Sequence, residues 1–534
     1  MTTASAPGKA LLAGGYLVLD PAYAGIVIAA DARFYTTVRP LGEQGRIVAR
    51  SPQFKNGVWA YKWTDSLVPE SGTPNPFVAA ALKYAIPVSL EASGEAMVRV
   101  KGGLEIIIAG DNDYYSQRVD GHALSLGELR ELPPFRDHDC TIGDVHKTGL
   151  GSSAAMTTSL VSSVLVHLGA ARTKGGQIDM ESLALIHNVA QLAHCTAQGK
   201  LGSGFDVSSA VWGSQLYRRF DPAVISGLMD GDAQGPLLST LAPSNPLWLP
   251  SPKSSAEETM PTALEGLAAG VYTDGIYRPP PLVLPPGVRL CLADVDTGSN
   301  TRTLVGSVSA WRKAKPDWAA QLYRVIGAAN QSLADGLLGL HVAYTNDPVG
   351  YSTVHAALRG IHSAQWDAYR ESSPSHVADA FIDVRNSIRS VRAGMRELGV
   401  RAEAPVEPPV MTQLVSASVD AAPGILGGGV PGAGGYDAIY VLWLGLDNES
   451  GQPPAGLLDM WSTWPGLSVG ALTCEAAESV PLAAADRSGD GAGAPSGRGL
   501  DRALERVTEM LRSARGGVRI EDAPKVRGLD RLLK

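Results

Sequence analysis

The pattern of apolar and polar residues predicts four long helices in this chain, at residues 153–169, 180–198, 317–340 and 378–398. In the last of these, apolar residues recur at three- and four-residue spacing and form one face, made of Phe381, Val384, Ile388, Val391, Met395 and Leu398. Such a face is more often packed in a core than used to bind a ligand. A further amphipathic helix is predicted at residues 500–511.

Short apolar runs broken by glycine predict strands and turns in other parts of the chain. The runs occupy residues 10–13, 16–19, 25–30 and 439–444. Residues 98–109 indicate a further pair of strands. The chain therefore combines helices and strands, and we find no internal repeat.

Two stretches of low complexity divide the chain. Residues 221–286 are rich in Pro, Gly and Ser, which indicates a long surface insertion and a domain boundary, and residues 485–499 form the second stretch. A length of 534 residues is enough for roughly two to four domains. We expect an N-terminal domain at 1–220, the insertion or linker at 221–286 and a C-terminal domain at 287–534.

Composition excludes several classes of protein. Hydrophobic residues make up 45% and charged residues 18%, as in an ordinary globular enzyme. A formal net charge of −8 argues against a general binder of nucleic acid or anionic membranes. An anionic ligand must therefore be held by a local site.

The cysteines and the absence of targeting signals indicate the cytoplasm. Cys140, Cys195, Cys291 and Cys474 lie far apart with no Cys-x-x-Cys pair, so we interpret them as free thiols in a reducing compartment. No apolar run approaches the length of a membrane span, and the N-terminus lacks the core of a signal peptide.

A glycine- and serine-rich segment at residues 147–157 is the strongest chemical signal in the sequence. It runs directly into the first predicted helix, and glycines before a helix let free N–H groups approach phosphate oxygens. Ser152 and Ser153 can cap that helix, or one of them can also bind a Mg²⁺ ion carried by nucleotide phosphates. The pattern is not that of a P-loop NTPase.

Three other glycine-rich segments carry residues that could take part in binding or catalysis. Lys9 follows a Pro-Gly pair that predicts a turn, and it is either a cation for a phosphate or a solvated lysine. Asp206 follows a loop that also holds Lys200 and Ser203, a position where an aspartate is usually a helix cap. The third segment, residues 427–438, is so rich in glycine that close approach of its backbone to a ligand is expected.

Together these segments resemble the GHMP small-molecule kinases and, within them, the fungal-type phosphomevalonate kinases. The order and spacing of the motifs match from residue 5 to about residue 445. Two departures stand out. First, this chain has Gly14-Gly15 where most family members carry Gly-Glu, and in this respect it resembles the fungal subgroup. Second, it has Cys195 at the position where mevalonate kinases place a Mg²⁺-binding glutamate.

The resemblance implies an α/β (α+β) GHMP kinase fold with an N-terminal ATP-binding domain like domain 2 of ribosomal protein S5. The C-terminal domain would be ferredoxin-like, with ATP and acceptor in the cleft between the two. The implied reaction converts ATP and 5-phosphomevalonate to ADP and 5-diphosphomevalonate, a step towards isoprenoids and sterols. Mg²⁺ would be the cofactor and ATP the co-substrate.

The resemblance also assigns roles to individual residues. Lys9 and Asp206 would be catalytic, and Ser153 would bind the metal. The ATP site would comprise Lys147, Gly149, Leu150, Gly151, Ser152, Ser153, Ala154 and Ala155. The acceptor site would comprise Lys9, Lys200, Ser203, Gly432, Ala433, Gly434 and Gly435.

Two alternatives remain open at this point. Another GHMP kinase, such as a mevalonate or homoserine kinase, would share the nucleotide motifs and differ in the acceptor pocket. A sensor with the same fold would bind ATP and a metabolite without turnover, but the presence of both Lys9 and Asp206 argues against it. We expect no nucleic-acid or membrane partner and a monomer or weak homodimer.

Overall fold

The structure is a computed structural model that describes residues 1–70, 74–229, 236–249, 271–273, 276–295, 301–446, 452–480, 482, 497–514 and 516–534. Its strands are β1 Thr2–Ala13, β2 Gly25–Pro40, β3 Arg46–Arg50, β4 Val58–Trp63, β5 Leu67–Pro69, β6 Leu104–Gly110, β7 Arg118–Val119, β8 His122–Ala123, β9 Thr173–Lys174, β10 Gln177–Ile178, β11 Gln215–Tyr217, β12 Val271–Thr273, β13 Ile276–Arg278, β14 Val288–Val295, β15 Ile425–Gly429, β16 Ala438–Leu444, β17 Val469–Ala471 and β18 Arg519–Glu521.

The helices surround the sheets formed by these strands. They are α1 Pro76–Ala92, α2 Ala96–Lys101, α3 Leu126–Glu131, α4 Ser152–Leu168, α5 Met180–Gln198, α6 Phe205–Trp212, α7 Ala223–Met229, α8 Leu237–Leu241, α9 Thr301–Ala314, α10 Pro316–Asn346, α11 Pro348–Arg359, α12 Trp366–Ser372, α13 His376–Arg401, α14 Pro409–Asp420, α15 Ala455–Ser462, α16 Gly497–Ser513 and α17 Leu529–Leu532.

The first sheet, as far as the chain is described, runs β18-β1-β2-β6-β3-β4-β5, and β11 also pairs with β2. Helix α4 packs against β1 and β2, and α1 and α5 pack against α4. The side chains of α4 are almost all buried, so its apolar residues fill the core while its first turn reaches the edge of a cavity. This arrangement places the glycine-serine segment beside β1.

The second sheet has the order β15-β16-β14-β17 in the described part of the chain, and its neighbouring strands are antiparallel. Long helices α10 and α13 pack on each other, and α13 also packs against β15. Gly427 lies at that contact, where an added Cβ would be 3.0 Å from Ile388. The absence of a side chain therefore lets the helix approach the strand.

The predicted long helices are confirmed, with bounds that differ by a few residues. The predicted helix at 500–511 lies within α16, and the predicted strand at 439–444 lies within β16. The strand pair expected at 98–109 is wrong in its first half, because α2 ends at Lys101 and only β6 is a strand. Residues 17–19 form a short 3₁₀ helix.

The Pro-Gly pair before Lys9 does not form a turn. Pro7 and Gly8 lie inside β1, where the pairing with β2 shifts register, and Lys9 pairs with Ala29 of β2. A register shift of this kind bends a strand and changes the direction of its side chains. Lys9 is therefore held by a sheet and not by a flexible turn.

The insertion expected at 221–286 is only partly superficial. Ile225 and Leu241 are fully buried in the described part, so the expectation of a surface segment is wrong for α7 and α8. Residues 250–270 lie outside the described residues, as do residues 485–496 of the second low-complexity stretch. The proposed boundaries at 220 and 286 stay a prediction, although β18 from the far end of the chain pairs with β1.

Candidate active site

A cavity of about 520 Å³ lies where the two sheets meet. Its lining comes from five parts of the chain: β1 with the turn after it, the segment before α4, the end of α5 with the loop into α6, residues 430–434, and single residues of the second sheet and its neighbours. The predicted site residues that line it are Lys9, Gly149, Leu150, Gly151, Lys200, Ser203, Asp206, Gly432, Ala433 and Gly434. Motifs that are far apart in the sequence therefore line the same cavity.

Glycine forms the cap of α4. Gly151 has φ of 77° and is the N-cap, so Ser152 and Ser153 lie in the first turn and neither caps the helix by its side chain. The N–H groups of Ala154 and Ala155 donate to the carbonyl of Gly151, both at 3.1 Å. The capping interpretation of the two serines is therefore wrong, because a left-handed glycine has taken that position.

The hydroxyl of Ser153 contacts a buried histidine. Its Oγ lies 3.0 Å from Nε2 of His194 on α5, and Gln198 places its side-chain nitrogen 3.1 Å from the same atom. Burial lowers the pKa of His194, while the nearby carboxylate of Asp206 raises it and Lys200 lowers it further. The histidine is thus neutral near pH 7, and its Nε2 holds the serine hydroxyl by a hydrogen bond.

Lys9 joins β1 to the segment before α4. Its main-chain N–H donates to the carbonyl of Leu150 at 2.9 Å, and its Nζ donates to the carbonyl of Gly149 at 2.8 Å. Burial lowers the pKa of Lys9 from its ordinary value of 10.5, and the carboxylate of Asp206 opposes this shift. A desolvated ammonium of this kind interacts strongly with an anion that enters the cavity.

Asp206 stands in the first turn of α6, whose N-cap is Gly204 with φ of 82°. Its carboxylate accepts a hydrogen bond from the N–H of Val207 at 2.9 Å and lies 3.9 Å from Nε2 of His194. The side chain is 23% exposed, so one part of the carboxylate remains open to the cavity. The aspartate is therefore not the helix cap.

The C-terminal glycine segment is fixed to the N-terminal turn. The N–H of Gly432 donates to the carbonyl of Leu11 at 3.0 Å, and the hydroxyl of Tyr16 donates to the carbonyl of Ala433 at 2.6 Å. A Cβ on Gly15 would lie 2.3 Å from the carbonyl oxygen of Gly432. Glutamate has no room at this position, which gives the Gly14-Gly15 departure a steric reason.

Some of the predicted site residues are not among the residues that line the cavity. They are Lys147, Ser152, Ser153, Ala154, Ala155 and Gly435. Gly435 donates its N–H to the carbonyl of Val406 at 2.9 Å, so it supports the neighbouring turn. Ala154 and Ala155 are buried under the first turn of α4.

The sequence prediction missed three side chains that organise the site. His194 and Gln198 are four residues apart on α5 and therefore share a face of that helix. This spacing is visible in the sequence and could have indicated both residues. Tyr16 adopts φ of 62°, which is rare for a residue with a side chain, and this conformation becomes visible only in the fold.

The donors near Ser153 suit a metal ion that is held mainly by phosphates. Mg²⁺ prefers oxygen ligands, and the Ser153 hydroxyl and the Asp206 carboxylate both lie within 4 Å of Nε2 of His194. Burial raises the pKa of Cys195, so its thiol is a poor ligand for such an ion. Within the described residues, no group of three or more His, Cys, Asp or Glu side chains could hold a metal by itself.

No helix in the described part of the chain combines the length and the apolar character needed to cross a membrane.

Comparison with known proteins gives relatives that match over most of their length. Phosphomevalonate kinase, peroxisomal, of Arabidopsis thaliana is 34% identical over 506 residues, which cover 86% of this chain and 92% of that protein. Phosphomevalonate kinase of Candida albicans is 35% identical over 456 residues, covering 84% and 90%. No family model matches the chain.

A solved structure shares the fold. The crystal structure of a Lin0012 protein from Listeria innocua has a TM-score of 0.51 at 16% identity, and the match covers 84% of this chain and 91% of that one. An identity this low carries information on the fold alone.

Proposed function

Since the chain belongs to the phosphomevalonate kinase family of GHMP kinases, we propose that it transfers the γ-phosphoryl group of ATP to (R)-5-phosphomevalonate. The products are ADP and (R)-5-diphosphomevalonate, an intermediate on the mevalonate route to isoprenoids and sterols. The α/β fold expected for such kinases is confirmed. The observation that carries the proposal is the convergence of Lys9, Asp206 and both glycine segments on one cavity.

Phosphoryl transfer depends mostly on positioning and on neutralisation of charge. We assign the ATP phosphates to the segment before α4, where Gly149 and Gly151 expose their backbone to the cavity. Lys9 reaches this segment through its bond to Gly149 and also faces the cavity that receives the acceptor. It is therefore suited to stabilise negative charge on the transferred group.

We assign the Mg²⁺ that accompanies ATP to the hydroxyl of Ser153, with Asp206 as a carboxylate that neighbours the same histidine. When bound, the ion would neutralise charge on the phosphates. The role of the chain is to hold the serine hydroxyl in place through neutral His194 and to keep Asp206 close by. The kinase family implies a divalent metal with ATP, and Mg²⁺ is our specific proposal.

Asp206 acts in our proposal by orientation and charge, not chiefly as a base. The second pKa of a phosphate monoester is about 6, so at pH 7 to 8 the acceptor is already largely a dianion. An alcohol acceptor would instead gain about 10²–10⁴-fold from base catalysis. Asp206 lies near Lys9 and acts on its pKa, which fits a carboxylate that holds a cation in position.

The test is ADP release with 5-phosphomevalonate and with mevalonate as acceptors, between pH 6 and 9. We expect turnover with 5-phosphomevalonate and little with mevalonate, because a pocket that pairs a phosphate leaves its donors unpaired without it. Asp206→Asn is expected to lose most of the rate, and a higher pH should not restore it. Comparable turnover of mevalonate would reject the substrate and favour a mevalonate kinase.

Other expectations remain proposals. We propose a cytoplasmic location, which the four free cysteines support, and a monomer or weak homodimer. Partners other than ATP and the acceptor are not part of the proposal.

A further inference from the structure

Three consecutive carbonyl groups in the loop before Asp206, here called loop 202–204, are held by buried side chains. The carbonyl of Gly202 accepts from Nη2 of Arg219 at 2.5 Å, that of Ser203 from the hydroxyl of Tyr217 at 2.6 Å, and that of Gly204 from Nε2 of Gln191 at 2.7 Å. The three donors are 8%, 2% and 0% exposed. They form a rigid set behind the loop.

The direction of these carbonyls fixes the direction of the neighbouring N–H groups. In a planar trans peptide the N–H of one residue points opposite to the carbonyl of the residue before it. Loop 202–204 lines the cavity, whereas the three donors are not among its lining residues. The N–H groups of Ser203, Gly204 and Phe205 are therefore turned to the cavity side, and among the described residues none of them has an acceptor.

Charge behind the loop strengthens this arrangement. The guanidinium of Arg219 also donates to the carbonyl of Leu19 at 2.7 Å and, among the described residues, lies within 4 Å of no carboxylate. A buried positive charge is costly without a negative partner. A phosphate dianion on the cavity side of the loop would supply that partner.

Gly204 and Tyr217 help to hold loop 202–204 in this conformation. Gly204 has a left-handed backbone, and an added Cβ would lie 2.9 Å from the Tyr217 hydroxyl. Burial raises the pKa of Tyr217 well above its ordinary value, so its hydroxyl stays protonated and donates at every working pH. Donation to a carbonyl also polarises the peptide and makes its N–H a better donor.

We propose that the three buried donors behind loop 202–204 are positioning residues, which turn three consecutive N–H groups toward the phosphate of the acceptor. Consecutive N–H groups of this kind make a concave site for anions. The site lies directly before Asp206, on a different segment of the cavity lining from Gly149, Leu150 and Gly151. The inference rests on the proposed function, because it takes 5-phosphomevalonate as the acceptor.

The test uses Tyr217→Phe, which keeps the ring and removes one donor. Its matched control is Tyr351→Phe, because the hydroxyl of buried Tyr351 donates to the carbonyl of Pro286 at 2.8 Å and neither residue lines the cavity. Binding of 5-phosphomevalonate and of mevalonate is measured by calorimetry without ATP, and melting temperature is recorded for each variant.

We expect Tyr217→Phe to weaken binding of 5-phosphomevalonate by about tenfold, the cost of one misdirected charge-assisted hydrogen bond. Binding of mevalonate and the KM for ATP should not change. Tyr351→Phe should lower the melting temperature to a similar extent and leave every affinity unchanged. A structural role alone would not produce this selectivity for the phosphate.

Two results would overturn the inference: unchanged affinity of Tyr217→Phe for 5-phosphomevalonate, or an equal loss toward mevalonate. If Tyr217→Phe does not fold, Gln191→Met removes the adjacent bond to Gly204 and should show the same selective loss. Normal turnover by the wild-type enzyme together with either result would refute the inference and leave the proposed function intact. Absence of wild-type turnover would refute the function, and the affinities would still decide the role of the loop.

Discussion

Gly15→Ala adds a single methyl group and is expected to push the turn at Gly432 away from the turn after β1. The added Cβ would lie 2.3 Å from the carbonyl oxygen of Gly432 and 2.7 Å from the terminal carbon of Met395. The methionine end can rotate away, but the carbonyl belongs to the backbone of a turn. Contacts to a Cβ become ordinary only beyond 3.4 Å, so the turn must move by about 1 Å.

That displacement acts on the hydrogen bonds from Gly432 to Leu11 and from Tyr16 to Ala433. Overpacking of this kind costs about 1–3 kcal/mol of stability. The larger effect is on the rate, because misplacement of site groups by about 1 Å can lower catalysis by about 10²-fold. We expect kcat/KM to fall by that order while the protein remains folded.

Steady-state kinetics and thermal melting check this prediction. Gly339→Ala is the matched control, since Gly339 lies in helix α10, where an added Cβ would meet no atom within 4 Å among the described residues. It should be neutral or slightly stabilising, because alanine favours a helix. Wild-type kcat/KM in Gly15→Ala would show that the contact between the two motifs does not matter for the reaction.

Three further changes test other parts of the site and the fold. Ser153→Ala should weaken use of Mg·ATP at limiting Mg²⁺ with little loss of melting temperature, because Gly151 and not the serine caps the helix; wild-type activity across a Mg²⁺ titration would exclude a role for the hydroxyl. Lys9→Met should lower kcat by more than about tenfold without a matching loss of ATP affinity, and an unchanged kcat would remove Lys9 from the mechanism. Burial raises the pKa of Asp111 to about 7, above its unfolded value of about 3.9, so the folded state binds the proton more tightly and stability is lost as pH rises from about 4 through 7. Asp111→Asn removes this loss, and its melting temperature relative to wild type should therefore be higher at pH 8 than at pH 5; an equal difference at both values would contradict the shift.

The long elements could be predicted because their signals are local. The helix predicted at 180–198 is Met180–Gln198, since apolar periodicity, Asp179 at the start and Gly199 at the end all act within the segment. Residues 98–101, Val-Arg-Val-Lys, misled the prediction because this short run alternates apolar and polar residues, a pattern that favours a strand. Val98 is 73% exposed in α2, so the run does not mark a buried strand.

The sequence predicted candidate residues that the fold brings together, but it did not predict their geometry, and their roles stay a prediction. Glycine and lysine motifs can be found by their order along the chain, and most of them line one cavity. The cap of α4 depends on the left-handed φ of Gly151, and a segment of small residues does not reveal which of them adopts that conformation. The contact of Ser153 with His194 joins two helices, and no local pattern encodes a distance between them.

The pairing of β18 with β1 sets an order of events during synthesis. Strand β1 carries Lys9 and is synthesised before Arg519–Glu521, which follow it by more than 500 residues. Until they arrive, one edge of β1 lacks its partner, and buried Arg33 lacks the carbonyls of Gly516 and Gly517 that its guanidinium binds. The sheet around the strand that carries Lys9 is therefore completed only after residues 519–521 have been synthesised, and a nascent chain interrupted before residue 516 carries every proposed site residue on an unfinished sheet.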